Sequence, residues 1–530
     1  MSNKYDLTIL GFDYKGVASS NESKKINVDG WEITNIPDDS DIKYVEKFIR
    51  EFISDIVAIE IPTSLVCNLR CNYCYISDPR MKNKDVDEKN VNQILELSSQ
   101  MFPSLSKDKK IRQRNNKKTK VYFSAWGAEP FTNTKTLNSL YEFGHEYYGK
   151  NEYEISLSTN GTILNDNVKK IISNIIDDNA FQSIQISLDG PEYLQNHQRP
   201  FLNKKGSFDA VKNFCSFLLD LQREKELKSR LYSFCSTIHL IDDNFSENWR
   251  NAAKFFSEPN TWHTALPVLP MRMSGEDLSN KNHINKFIYA QKEIFEVIKE
   301  RAKQGVTVLD FYSNKIFGNI SCRSKNAFPY CSALNTQIAV DIDGNLYPCH
   351  GPITSPLYKP FLYFGNLFEK TISYKQLMRN MNYQYGILWG LGKCEKCPLH
   401  VYGTGNICWS CPPHNLALTG EPSMDSPLKC VAYAESFKYW IAIAKMAFGE
   451  QHLEHIPNNE WFNDIEVNYN EFKNKILVKN PHNNMHFDMN YNGIIDKALQ
   501  RYEVEEKYHN YGDKKYISSW WDFDNFKNIK

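Results

Sequence analysis

Between about residues 56 and 240 the chain alternates two hydrophobic patterns. Short β-branched or aromatic runs ("VAIEIPTS", "KVYFSAWGAEP", "YEISLSTNG", "FQSIQISLDG", "LYSFCSTIHL") are separated by stretches with apolar residues at helical spacing ("DEKNVNQILELSSQMF", "TLNSLYEFGHEYY", "DNVKKIISNII", "GSFDAVKNFCSFLLDLQRE"). A repeated βα alternation predicts a parallel sheet, open or closed into a barrel. Turn residues Gly127, Asn160-Gly161 and Asp189-Gly190 fall at the C-terminal ends of the strands, where barrels carry their chemistry. Ahead of this block lie strand-like "DLTILGF" and "WEITNI" and helix-like "DIKYVEKFIREFISDI". After about 310 the texture turns to Cys, Gly and Pro. An amphipathic helical run, "VAYAESFKYWIAIAKMAF", starts at 431, and the tail is rich in Asn, Tyr and Lys.

A chain of 530 residues is too long for one compact core, so several domains are expected. Lys plus Arg and Asp plus Glu each number 63, which leaves no global field to favour nucleic acid or an anionic membrane. No run of 18 apolar residues and no secretory signal is seen, and a cytoplasmic setting is expected. There, 13 cysteines read as metal or cluster ligands rather than disulfides. "PSLSKDKKIRQRNNKKTK", from 103, reads as a solvated loop or helix end; a contact for an acidic peptide is the alternative. Cys215 and Cys235, on apolar stretches, read as buried structural thiols.

"TSLVCNLRCNYCYI" places Cys67, Cys71 and Cys74 in eight residues, after the first strand of the series. Three thiolates from one loop hold three irons of a cubane and leave the fourth open to a chelator; a zinc knuckle with a distant fourth ligand is the alternative. The C-x3-C-x-aromatic-C arrangement resembles the radical S-adenosylmethionine (SAM) superfamily. The resemblance implies a partial (β/α)6 barrel whose 4Fe-4S cluster binds SAM and reductively cleaves it to a 5′-deoxyadenosyl radical that abstracts hydrogen. By the same resemblance Tyr73 lies near adenine. Gly127, Ala128 and Glu129 of "WGAEP" meet the SAM ammonium, with Ala128 standing where the family has a second Gly. Ser158 and Asn160 of "STNGT" contact SAM, and Ser187, Asp189 and Arg199 contact ribose or carboxylate.

Eight further cysteines follow as C-x8-C-x17-C, then C-x2-C-x10-C-x2-C-x18-C. Spacing allows two saturated 4Fe-4S clusters or two four-thiolate zinc sites. The pattern, with "DIDGNLYPCHG", resembles the SPASM auxiliary-cluster domain. That resemblance implies one auxiliary cluster on Cys322, Cys331, Cys349 and Cys411, and a second on Cys394, Cys397, Cys408 and Cys430. The x10 and x2 spacings around Cys408 depart from the family's and leave its assignment against Cys411 open.

Enzymes of this resemblance mostly modify peptides or proteins, so a ribosomally made precursor peptide or protein is the expected substrate, with flavodoxin or ferredoxin as reductant. His350 stands where sulfatase maturases carry an Asp base after "YPC"; it is a candidate base, or else only a hydrogen-bonding group beside the cluster. A sulfatase-type protein, a small metabolite, and a non-catalytic iron–sulfur scaffold or redox sensor are the alternatives. The expected divisions are 1–55 as an N-terminal extension, 56–310 as the barrel, 311–435 as the auxiliary domain and 436–530 as a helical, aromatic tail.

Overall fold

The structure is a computed structural model. It describes residues 24–37, 40–74, 76, 86–115, 120–227, 230–239, 242–265, 269–273, 281–306, 332–354, 359–385, 411, 436, 438–443 and 445–446. Six parallel strands run in chain order: β3 (Ala58–Ser64), β4 (Val121–Gly127), β5 (Tyr153–Thr159), β6 (Phe181–Ser187), β7 (Tyr232–Ile238) and β8 (Met271–Met273). Sequential order with helical crossovers is the topology of the expected partial (β/α)6 barrel. The first five strands and the helices read between them lie where the sequence pattern puts them.

The strand pattern explains how the sheet is used. Register pairs Ile59 with Phe123 and Phe123 with Ile155, all nearly fully buried. These side chains meet the apolar stripes of α2 (Glu88–Met101), α4 (Thr134–Tyr147), α5 (Asp166–Asp177) and α7 (Phe208–Glu224) in one hydrophobic cluster. The opposite face is polar: Glu60 pairs with Ser124 and Ser124 with Ser156, while Ser158 pairs with Gln185 and Ser187 with Cys235. Parallel strands covered on both faces read as continuous apolar runs. Strict alternation, as in β5, therefore marks a polar lumen inside the curved sheet.

Cys215 is fully buried on the inner side of α7, as expected. Cys235 is not buried: it is half-buried, because the alternation of β7 turns it to the polar face beside Ser187. The basic stretch is a solvated helix, as read, with Asp108, Lys109, Lys110, Gln113 and Arg114 exposed and Arg112 as the exception. It forms α3 (Lys109–Asn115), in which Arg112 is 2% exposed. The Arg112 guanidinium donates to the carbonyls of Ser106 and Lys107 and to Glu152.

Past β3 the sheet continues outward. β9 (Gln337–Val340) pairs parallel with β3, then β10 (Asn345–Tyr347), β11 (Gly365–Asn366) and β12 (Thr371–Ser373) follow antiparallel. The N-terminal hairpin β1 (Lys24–Val28) and β2 (Trp31–Ile36) completes this extension, β2 lying parallel to β12. The hairpin and strands β9–β12 thus share one sheet. Described residues between 436 and 446 are helical, and Trp440 there donates to Gln291 of α9 (Lys281–Lys303) at 3.2 Å. "DLTILGF" and the aromatic tail lie outside the described residues. Among the described residues no helix is long and apolar enough to cross a membrane.

One buried imidazole gives this fold a pH signature. His263 stacks on Phe255 at 3.7 Å between ring centroids, and its Nδ1 lies 2.9 Å from the Phe255 carbonyl oxygen. Burial lowers its pKa, against the opposing pull of that carbonyl and of Glu258 and with help from Arg230. A depressed folded pKa confers stability above the unfolded value of about 6.5 that is lost as pH falls through the folded one. Thermal melts of the parent should therefore drop more between pH 7 and 5 than those of His263→Asn. Parallel curves would refute this.

Candidate active site

The cysteine loop leaves β3 and is held by a second segment of chain. Arg70 N donates to Pro200 O at 2.8 Å, Asn72 N to Gln198 O at 3.0 Å, and Leu202 N to Asn68 O at 3.2 Å. Residues 68–72 and 198–202 thereby form a short antiparallel ribbon, with a bridge between Leu69 and Phe201. Cys67 and Cys71 are half-buried and Cys74 is exposed. Burial pushes the Cys67 thiol up to about 11 and the Cys71 thiol up to about 12. Thiolates at these places need positive charge or N–H donors. Leu69 N supplies one donor at 3.4 Å from Cys67 Sγ, and Asn160 Nδ2 lies 3.7 Å from the same sulfur.

The turn after β4 packs directly on β3. Gly127 has φ +150°, and a Cβ there would lie 1.9 Å from Ser64 O. Ala128 N donates to Ser64 O at 2.9 Å. Ala128 has no positive φ, so a methyl group is accommodated where the family pattern has its second Gly. Glu129 is fully buried. Its Oε1 accepts from Thr159 Oγ1 at 2.7 Å and Phe131 N at 3.1 Å, and its Oε2 from Asn160 N at 2.6 Å. Burial lifts its pKa to about 7 against these three hydrogen bonds. Glu129 thus ties the β4 turn to the β5 turn.

Asp189, at the end of β6, is also fully buried. Oδ1 accepts from Thr237 N at 2.9 Å, while Oδ2 accepts from Tyr73 OH at 2.5 Å and Gln198 Nε2 at 3.1 Å. Arg199 Nε sits 3.0 Å from Oδ2 as an ion pair, its N–H not aligned for a hydrogen bond. The guanidinium lies 5.2 Å from the Tyr73 ring centroid. The half-buried Tyr73 and the buried Asp189 and Arg199 thus form one cluster that joins the cysteine loop to β6 and β7. Ser158 is exposed and Ser187 half-buried on the polar face, and Ser158 Oγ donates to Gln185 Oε1 at 3.4 Å.

His350 arrives from the C-terminal strands. Its backbone N donates to Glu60 Oε2 at 2.6 Å, and Nδ1 lies 3.1 Å from both Glu60 oxygens. Its ring stacks on Trp126 at 5.7 Å. Burial opposes protonation, but the Glu60 charge and hydrogen bond raise the His350 pKa overall.

Residues 61–232 match the model of the radical SAM superfamily. These residues are a radical SAM domain. The chain is 23% identical over 392 residues to the cysteine-type anaerobic sulfatase-maturating enzyme of Clostridium perfringens, covering 71% of this chain and 94% of that one. It is 22% identical over 349 residues to the enzyme of the same name from Clostridium novyi, covering 63% and 83%. The fold is similar to that of histidine-tagged anSMEcpe with bound AdoMet, with TM-score 0.53 and 19% identity over 76% of this chain and 99% of that one. The domain is that of an enzyme, and its cofactors are a 4Fe-4S cluster and SAM.

The donor set of the radical SAM domain fits a cubane. Three thiols share one loop and couple electrostatically, and two N–H groups already point at Cys67 Sγ. Among the described residues no three His, Cys, Asp or Glu converge as tightly as a single metal ion demands. Of the eight cysteines between 322 and 430, Cys349 and Cys411 are half-buried. Cys322, Cys331, Cys394, Cys397, Cys408 and Cys430 lie outside the described residues. Sequence reasoning did not single out Glu60, Asn68, Thr162, Gln198 or Trp126 as site residues. Trp126, Thr162 and Asn68 lie inside the quoted motifs, and Glu60 is an acid inside an apolar strand.

Proposed function

We propose that the protein modifies a side chain or Cα of a peptide or protein. When bound, the cluster and SAM supply hydrogen-atom abstraction. Cys67, Cys71 and Cys74 would hold the cluster, and the ribbon to residues 198–202 fixes them over the polar lumen. The observation that carries the reading is this clamped three-cysteine loop, joined by Glu129 and Asp189 to the ends of β4–β7. Ser158 and Ser187 are left on the polar face to meet SAM, beside Tyr73, Gly127, Ala128, Asn160 and Arg199.

The relatives support a polypeptide substrate, since those named above are sulfatase-maturating enzymes and one solved structure of anSMEcpe holds a Cp18Cys peptide. Glu60 fixes the orientation of His350 against Trp126, which makes His350 the proton acceptor of the proposal. Cys349 and Cys411, with Cys322 and Cys331, would hold one auxiliary cluster, and Cys394, Cys397, Cys408 and Cys430 another. The barrel would span 56–310 and the auxiliary domain 311–435. Electrons would come from a flavodoxin or ferredoxin in the cytoplasm. Oxidation of a sulfatase-type protein is the second reading, favoured by the Clostridium perfringens relative, matched over 94% of its length.

Anaerobically reconstituted protein is expected to contain iron and sulfide and to form 5′-deoxyadenosine from SAM with dithionite. The Cys67→Ala, Cys71→Ala, Cys74→Ala triple variant should form none. Zinc without sulfide in the parent would reject the reading. Mass spectrometry of a precursor peptide encoded beside the gene, co-expressed with parent or triple variant, tests the substrate; identical masses would reject that peptide.

A further inference from the structure

We propose that Asn160 is a positioning residue that donates a hydrogen bond to the Cys67 thiolate, so that the 158–162 turn raises the reduction potential of the cluster. The inference rests on the reading of Cys67, Cys71 and Cys74 as cluster ligands. It gives Asn160 a task distinct from the SAM contact implied by the family resemblance.

The carboxamide has only one way to face. Its Oδ1 accepts from Thr162 N at 3.0 Å and from Thr162 Oγ1 at 2.6 Å. The amide nitrogen must therefore point the other way. There it donates to Asn68 Oδ1 at 2.8 Å, and its second N–H has Cys67 Sγ at 3.7 Å. Asn68 is fixed in turn by its own donation to Thr162 Oγ1 at 2.8 Å. The backbone of Asn160 is held by the buried Glu129 carboxylate, so Glu129 acts on the thiolate through Asn160.

An N–H dipole aimed at a cluster sulfur stabilises the electron density that reduction adds, which raises the potential. Asn160 is 6% exposed, so water does little to screen that dipole. The bond from Leu69 N to the same sulfur is part of the loop backbone and survives any side-chain change. Asn160 is the part of this donor pair that a substitution can remove.

The test is an EPR-monitored redox titration of the anaerobically reconstituted full chain. The signal missing from the Cys67→Ala, Cys71→Ala, Cys74→Ala variant identifies the relevant cluster. Asn160→Leu keeps the volume and removes the donor. It should retain iron and sulfide, and its midpoint should be more negative than the parent's. Asn160→Asp should move further in the same direction, because it also adds negative charge beside the sulfur. Thr162→Val, which loosens the carboxamide without touching it, should give a smaller shift of the same sign. An unchanged midpoint in Asn160→Leu at parental iron and sulfide overturns the proposal. If that variant loses iron, an unchanged midpoint in Thr162→Val overturns it instead. A parent chain without iron and sulfide overturns the cluster reading on which the proposal stands.

Discussion

Gly127→Ala should destabilise the protein by about 3 kcal/mol or more and abolish SAM cleavage, whereas Ala128→Gly should cost about 1 kcal/mol or less. The two neighbours differ in what surrounds them. Gly127 has φ +150°, and its missing Cβ would overlap Ser64 O at 1.9 Å. That carbonyl cannot withdraw freely, because it accepts the Ala128 N–H at 2.9 Å. Ser64 Oγ is engaged as well, with Thr132 Oγ1 at 2.6 Å and Val66 N at 3.1 Å. Any shift that relieved the overlap would move the chain three residues before Cys67. The backbone strain adds to the overlap, and neither is relieved by a rotamer change. Urea melts of the two variants, alongside 5′-deoxyadenosine formation, check the contrast. A Gly127→Ala protein as stable as the parent would show that the turn is not packed on Ser64.

How much of this was legible follows from how local each signal was. Strands β3–β7 were readable because a short β-branched or aromatic run between turn residues is a local property, and in "YEISLST" a period of two runs throughout. The same locality misplaced Cys235, whose apolar neighbours suggested burial although the period of two turns it to the lumen. It also misjudged Arg112. The rest of the basic run is solvated as read, but Glu152 and the carbonyls of Ser106 and Lys107, brought close by the fold, are partners of that one side chain. "WEITNI" was recognisable as a strand, but its partner β12 follows the whole barrel segment in the sequence and no local pattern carries that pairing. The Glu60–His350 pair joins positions 290 residues apart for the same reason. Motif resemblance brought Tyr73, Glu129, Asn160, Asp189 and Arg199 to notice as contacts to SAM. It did not convey that Glu129 and Asp189 are buried, their oxygens taken up by donors of the protein itself.

Asp189→Asn brings that difference to a measurement. A carboxylate whose only task was to contact SAM could be replaced by carboxamide with a rise in KM for SAM and little change in stability. The observed surroundings predict otherwise. Thr237 N donates to Oδ1, and Tyr73 OH and Gln198 Nε2 converge on Oδ2 beside the Arg199 guanidinium. An asparagine offers one acceptor oxygen. Whichever way the amide turns, an N–H faces a donor. Arg199, 8% exposed, is left without its counter-charge. Removing one partner of a buried ion pair costs about 3–5 kcal/mol, much of it from the charge that remains. The loss should fall on the cysteine loop, because Tyr73 lies between Cys71 and Cys74 and residues 198–202 clamp the loop from the other side. Asp189→Asn should therefore melt well below the parent and retain less iron and sulfide after identical reconstitution. A variant with parental stability and iron content but a raised KM for SAM would restore Asp189 to a direct contact with SAM and remove it from the framework of the loop.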